Sequence, residues 1–255
     1  MIRPGFSINL DENFDHLPSA PIAEAVIHWR ARPGIKLDAK LLQKTLTDRL
    51  TDYCEPHQQH EIHVGGEFGP DGSSSVNQKQ VWHGLRFESK DKRYIALFTR
   101  NGFVFSKLKP YQDWEHFQEE ALRLWAIYDD VAKPAEIERL GVRFINVIRL
   151  ESRHDMETVL AFPPPVPDSM AISVREFMHQ TRFDIPGHDY SLNVIQTIQE
   201  EEDAASLILD IDVFSGDVPA ASPENLKERL AEMRWIKNKA FFSFLTPTTV
   251  DRFKE

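Results

Sequence analysis

The chain has 255 residues, enough for one large domain or two of ordinary size, and either can bury a core. It is 41% hydrophobic and 27% charged, as in an ordinary globular protein, and holds no apolar run long enough to span a bilayer as a helix. A formal net charge of -10, with most of the acidic excess in residues 135–255, sets the whole surface against nucleic acid at long range.

The first residues, Met1 to Phe6, lack an apolar stretch of signal-peptide length. One cysteine, Cys54, cannot form an intramolecular disulfide, so a reducing cytoplasm is the expected location. Residues 1–16 carry little periodicity and are expected to form an arm. In Leu17-Pro18-Ser19-Ala20-Pro21 each proline holds its predecessor out of the helical region, which makes the stretch extended. Ile22 to Arg30 then reads as a strand ended by Pro33-Gly34. Asp38 can cap a helix with Leu42, Leu46, Leu50 and Tyr53 on one face.

Strands are expected at His60–Phe68, Gln80–Ser89, Arg93–Thr99 and Phe103–Leu108. The last two flank Arg100-Asn101-Gly102, whose Asn-Gly pair suits the positive φ angles of a tight hairpin. Gly65-Gly66 and Gly69-Pro70-Asp71-Gly72 read as turn chemistry. Asp113 can cap an amphipathic helix with Trp114, Phe117, Ala121, Leu124, Trp125 and Tyr128 inside, stopping before Pro134.

The same order then returns. Ile137–Leu150 is a long strand, Asp155–Leu160 a short helix, and Ala171–Asp184, Tyr190–Gln199 and Ser206–Phe214 three more strands. Ser222 with Pro223 opens a final helix with Leu226, Leu230, Met233 and Phe241 inward. The expectation is an α+β protein made of a duplicated strand–helix–antiparallel strands–helix unit, residues 17–134 and 135–255 sharing one sheet. That order resembles the TATA-binding-protein-like class, a saddle-shaped sheet with helices on one face.

Four groups of side chains invite chemistry. Cys54, His57, His60 and His63 offer soft ligands three residues apart, but Pro56 breaks any helix that would align them, so no metal is expected. Asp210 and Asp212 share one face of a strand about 7 Å apart, able to bind a cation or divide acid and base roles. Arg143 and Asn146 lie in an apolar strand, and a buried arginine needs a partner, for which Asp210 or Asp212 is the economical choice. Glu24, inside Ile22–Val26, poses the same question. The run Glu200–Asp203 reads as a solvated loop. Trp82, Phe87, Phe98, Phe103 and Phe105 offer ring faces to bases but serve packing better. A glycine-rich phosphate loop, a nucleophile elbow, HExxH and paired CxxC are all missing from the sequence.

Several segments in order resemble an uncharacterised, sporadically distributed bacterial family. They are Leu17-Pro18-Ser19-Ala20-Pro21-Ile22-Ala23-Glu24-Ala25, Pro110-Tyr111-Gln112-Asp113-Trp114 with Phe117, Leu140 to Asn146, Asp210-Ile211-Asp212 and Lys237 to Thr246. The resemblance implies no activity, cofactor or catalytic residue; its scattered occurrence implies accessory cassettes of the defence or toxin-antitoxin kind. The expected function is non-catalytic binding of a protein partner, or self-association, without a cofactor. The alternatives are an enzyme or small-ligand protein with Glu24, Arg143, Asn146, Asp210 and Asp212 around a cleft, and a weak nucleic-acid binder. For the last, Lys79, Arg86, Arg93, Arg100, Lys107 and Lys109 of the first half are the available cations.

Overall fold

A computed structural model describes residues 5–68, 74–150, 156–165, 169, 174–200, 205–218 and 222–255. In chain order the elements are β1 (Ile22–Arg30), α1 (Ala39–Arg49), β2 (His57–Phe68), β3 (Ser74–Glu88), β4 (Tyr94–Thr99), β5 (Gly102–Leu108) and α2 (Trp114–Ala132). Then follow β6 (Ile137–Leu150), α3 (Met156–Val159), β7 (Met178–Asp184), β8 (Tyr190–Glu200), β9 (Ala205–Val218), α4 (Pro223–Phe244) and α5 (Pro247–Asp251). The strands make one open nine-stranded sheet in the order β2-β3-β4-β5-β1-β6-β9-β8-β7, with every neighbouring pair antiparallel.

Helix starts follow local chemistry. Asp38 accepts hydrogen bonds from the Lys40 and Leu41 amides, Asp113 from that of His116, and Ser222 from that of Asn225 ahead of Pro223. α1 ends at Arg49, so Tyr53 leaves the helix face; it bridges to Ser89 and donates its hydroxyl to Glu120 of α2 at 2.8 Å. The β4–β5 hairpin turns where expected but for another reason. Asn101 keeps a negative φ; Gly102 alone is positive, at 145°, and a Cβ there would lie 2.0 Å from the Trp29 carbonyl oxygen. Gly65 and Gly66 form no turn, being paired within β2 to Asn77 and Val76. β3 accordingly begins at Ser74, ahead of the expected Gln80, because hairpin pairing carries its polar start as a strand. β7 starts only at Met178. The segment Gly69–Gly72, Asp155, residues 171–173 and the acidic run 201–203 lie outside the described residues.

Strand alternation decides what each face carries. Ala25, Ile27 and Trp29 of β1, Phe103 and Phe105 of β5, Leu140, Val142 and Phe144 of β6, and Leu209 and Ile211 of β9 are buried under the helices. α2 stacks Trp125 on Trp29 at 5.3 Å between centroids and Phe117 on Phe105 at 5.4 Å, and its Trp114 reaches Phe144. α1 lies beside α2, tied by Arg49 to Asp130 at 2.6 Å. α4 sits over β6, β8 and β9. The N-terminal segment lies on α4, where Phe6 and Phe14 meet Trp235 edge-on and Lys239 pairs with Glu12 at 2.6 Å. Phe87, Phe98, Phe103 and Phe105 are buried in this core, so their rings pack and do not stack on a ligand.

Candidate functional site

The face opposite the helices is bare among the described residues, and the sheet register determines which side chains stand on it. Val26 pairs with Arg143, His28 with Gly141, Arg143 with Asp212, and Ile145 with Asp210. The bare face therefore carries Glu24, Val26 and His28 from β1, Arg139, Arg143, Ile145 and Val147 from β6, and Ile208, Asp210, Asp212 and Phe214 from β9.

The two acids are already engaged. Arg143 grips Asp210 with two parallel hydrogen bonds, Nε to Oδ1 at 2.8 Å and an Nη to Oδ2 at 2.5 Å. The Asp210 side chain is 9% exposed while that of Arg143 is 46% exposed, so the carboxylate is sunk and the guanidinium faces out. The hydrogen bonding of Arg143 to Asp210 leads the forces that push the Arg143 pKa up. Asp212 takes Arg139 instead, at 2.7 Å. Burial raises the Asp212 pKa and lowers that of Arg139, and the attraction between them opposes both shifts. Arg139 also lies 4.5 Å from the Phe214 ring centroid, with Arg182 of β7 at 5.1 Å. The Arg139 guanidinium lies over Gly141, where a Cβ would come within 2.6 Å of it. Glu24, on the neighbouring strand, influences Arg143 through space.

Four of the five polar residues singled out in the sequence therefore share this face: Arg143 and Asp210 pair with each other, Asp212 pairs with Arg139, and Glu24 acts on Arg143 through space. Asn146 does not join them. It is buried on the helix face, where its amide donates to the Leu209 and Phe144 carbonyls at 2.9 and 3.4 Å. Asp210 is thus engaged through both of its oxygens, and Asp212 through Oδ2. Cys54, His57, His60 and His63 do not gather either: among the described residues, no group of three or more His, Cys, Asp or Glu is placed to hold a metal ion.

His28 completes the row. Its Nδ1 lies 3.2 Å from an Arg139 Nη, which can only donate, so the ring is neutral with its proton on Nε2. Burial, then Arg139, then Arg30 depress its pKa from 6.5 to about 4. The unfolded chain thus takes up this proton first as pH falls, and folded stability is lost between about pH 6.5 and about 4. The slope approaches ~1.4 kcal/mol per pH unit for this one group. Replacing His28→Gln, which can still accept from Arg139, should flatten that slope in denaturant titrations at pH 7 and pH 5. An unchanged slope would show that other groups set it.

A second feature lies on the helix face, where sequence reasoning did not look. A cavity of about 270 Å³ opens between the N-terminal segment, the start of α2 and α4, with Asn146 and Lys237 in its wall. Lys237 is 9% exposed. Its signal was present in the sequence: it stands at the i+4 position between Met233 and Phe241, in the buried stripe of α4, where a lysine is out of place.

No family model matches the chain, and no curated protein matches it either.

Proposed function

We propose that this is a non-catalytic binding protein of the cytoplasm that presents the helix-free face of its sheet to a protein partner. The observation that carries this reading is the make-up of that face. Val26, Val104, Ile145, Ile195 and Ile208 are half-buried apolar residues there, around charges that neutralise one another. An apolar centre with outward guanidinium groups and no large net field suits a protein surface.

The strand order supports a duplicated, saddle-like arrangement of residues 17–134 and 135–255. Outward from the β1–β6 seam, β5-β4-β3 on one side corresponds to β9-β8-β7 on the other, with β2 as an addition to the first half. A saddle of this kind invites DNA as the partner, and the cations argue against it. Arg86 is held by Glu88, Arg93 by Asp91 and Arg100 by Glu61. Lys107 is 2% exposed on the helix face, its ammonium 3.8 Å from the Tyr94 ring centroid. Four of the six cations offered by the first half are thus already engaged or buried, which argues against a strip that neutralises phosphates.

Affinity capture from the native host, with the eluate analysed for protein and nucleic acid together, tests the reading. The full-length protein should recover a protein in stoichiometric amount, and Val26→Glu combined with Ile208→Glu should abolish that recovery without lowering the melting temperature. Equal recovery by the double variant, or recovery of nucleic acid in place of protein, would overturn it.

A further inference from the structure

Lys237 presents a problem that the fold does not solve by itself. A buried ammonium is normally paired with a carboxylate, because an unpaired one loses hydration with nothing in return. Here the Nζ donates to Asn238 Oδ1 at 2.5 Å and sits 3.9 Å from the Phe144 ring centroid. An ammonium has three donors, and no carboxylate lies within ion-pair distance of this one among the described residues. The acids around the cavity are committed elsewhere. Asp15 pairs with Lys254 at 2.8 Å, Glu115 with Arg234 at 3.0 Å, and Asp113 caps α2 and bonds His116 at 2.8 Å. Burial, and after it the like charge of Arg234, lowers the Lys237 pKa to about 7.

The rest of the wall says what would complete the site. Phe14, Leu17, Trp114 and Phe241 supply apolar surface. Asn146, also in the wall, spends its amide donors on main-chain carbonyls. A buried cation that no carboxylate neutralises among the described residues, set beside apolar surface in a cavity whose own acids are paired elsewhere, calls for a small monoanion with an apolar body.

We propose that this cavity binds a small carboxylate with an aromatic or aliphatic body, its carboxylate taking Lys237 as counter-ion and its body lying among Phe14, Trp114 and Phe241. The site is on the opposite side of the sheet from the bare face and stands or falls independently of the partner reading.

The test uses calorimetric titration of the full-length protein with benzoate, 4-phenylbutyrate and octanoate, each against its neutral amide. At least one carboxylate should bind at millimolar concentration or better and about tenfold or more tighter than its amide, as a charge-assisted hydrogen bond requires. Lys237→Met should erase that preference, as should Lys237→Gln, which keeps a donor without the charge. Lys239→Met, which removes a cation tied to Glu12, should behave as wild type. Binding at pH 8 should also take up protons, seen as a dependence of heat on buffer ionisation. That uptake should vanish in Lys237→Met while Arg234, His16, Asp15, Asp113, Glu115 and Tyr111 remain in place. Absence of binding by all three carboxylates, equal affinity for acid and amide, or unchanged preference in Lys237→Met would each overturn the proposal.

Discussion

Residues 1–134 produced alone are expected to be insoluble, and to become soluble when residues 135–255 are co-expressed. β1 is an interior strand, hydrogen-bonded to β5 on one side and to β6 on the other from Ile22 to Arg30. A cut after Pro134 strips its second side and leaves a row of unpaired amides and carbonyls in the middle of what was a sheet, a template for aggregation. The same cut uncovers the apolar surface where Tyr111 and Trp114 meet Phe144, at 5.3 and 6.5 Å between centroids. It also removes α4, whose Lys227 carbonyl accepts from Gln118 of α2 at 3.3 Å. A well-dispersed NMR spectrum from residues 1–134 alone would show instead that the first half is an independent lobe.

The second large effect is expected at Trp29. The ring is fully buried, stacked on Trp125 at 5.3 Å and tilted against Phe103 at 5.6 Å, so Trp29→Ala removes the centre of the first-half core. Such truncations cost about 3–5 kcal/mol. One atom works against the native residue: the indole Nε1 is buried without a hydrogen-bond partner among the described residues. An orphaned donor of this sort costs about 1–3 kcal/mol, so Trp29→Phe, which deletes it with part of the ring, should lose far less stability than alanine. Urea unfolding of the two variants decides the matter. A phenylalanine variant as unstable as the alanine one would mean that indole shape outweighs the orphaned N–H.

What could be read in advance was what depends on neighbours in sequence. The caps at Asp38, Asp113 and Ser222 act within one helical turn, and the buried stripes of α2 and α4 follow from a 3.6-residue period. That Asn146 faces away from Arg143 was legible in advance, since an odd separation on a strand puts two side chains on opposite faces. The choice of Asp210 for Arg143 and Asp212 for Arg139 was beyond reach, because it depends on the β6–β9 register. Gly65 and Gly66 misled because glycine marks turns on average, whereas here pairing with β3 holds them in a strand. Lys237 went unread as a site because a lysine next to Asn238 and Lys239 looks like helix surface until its place in the Met233–Phe241 stripe is counted.

The claim that the bare face is the partner surface is tested most directly by site-specific photocrosslinking in the native host. A photoreactive residue replaces Val147, 36% exposed on the bare face, or Leu41, 65% exposed on α1. The account predicts a discrete protein adduct from position 147 and none from position 41. An adduct from position 41 alone, or nucleic acid as the species trapped at position 147, would contradict it.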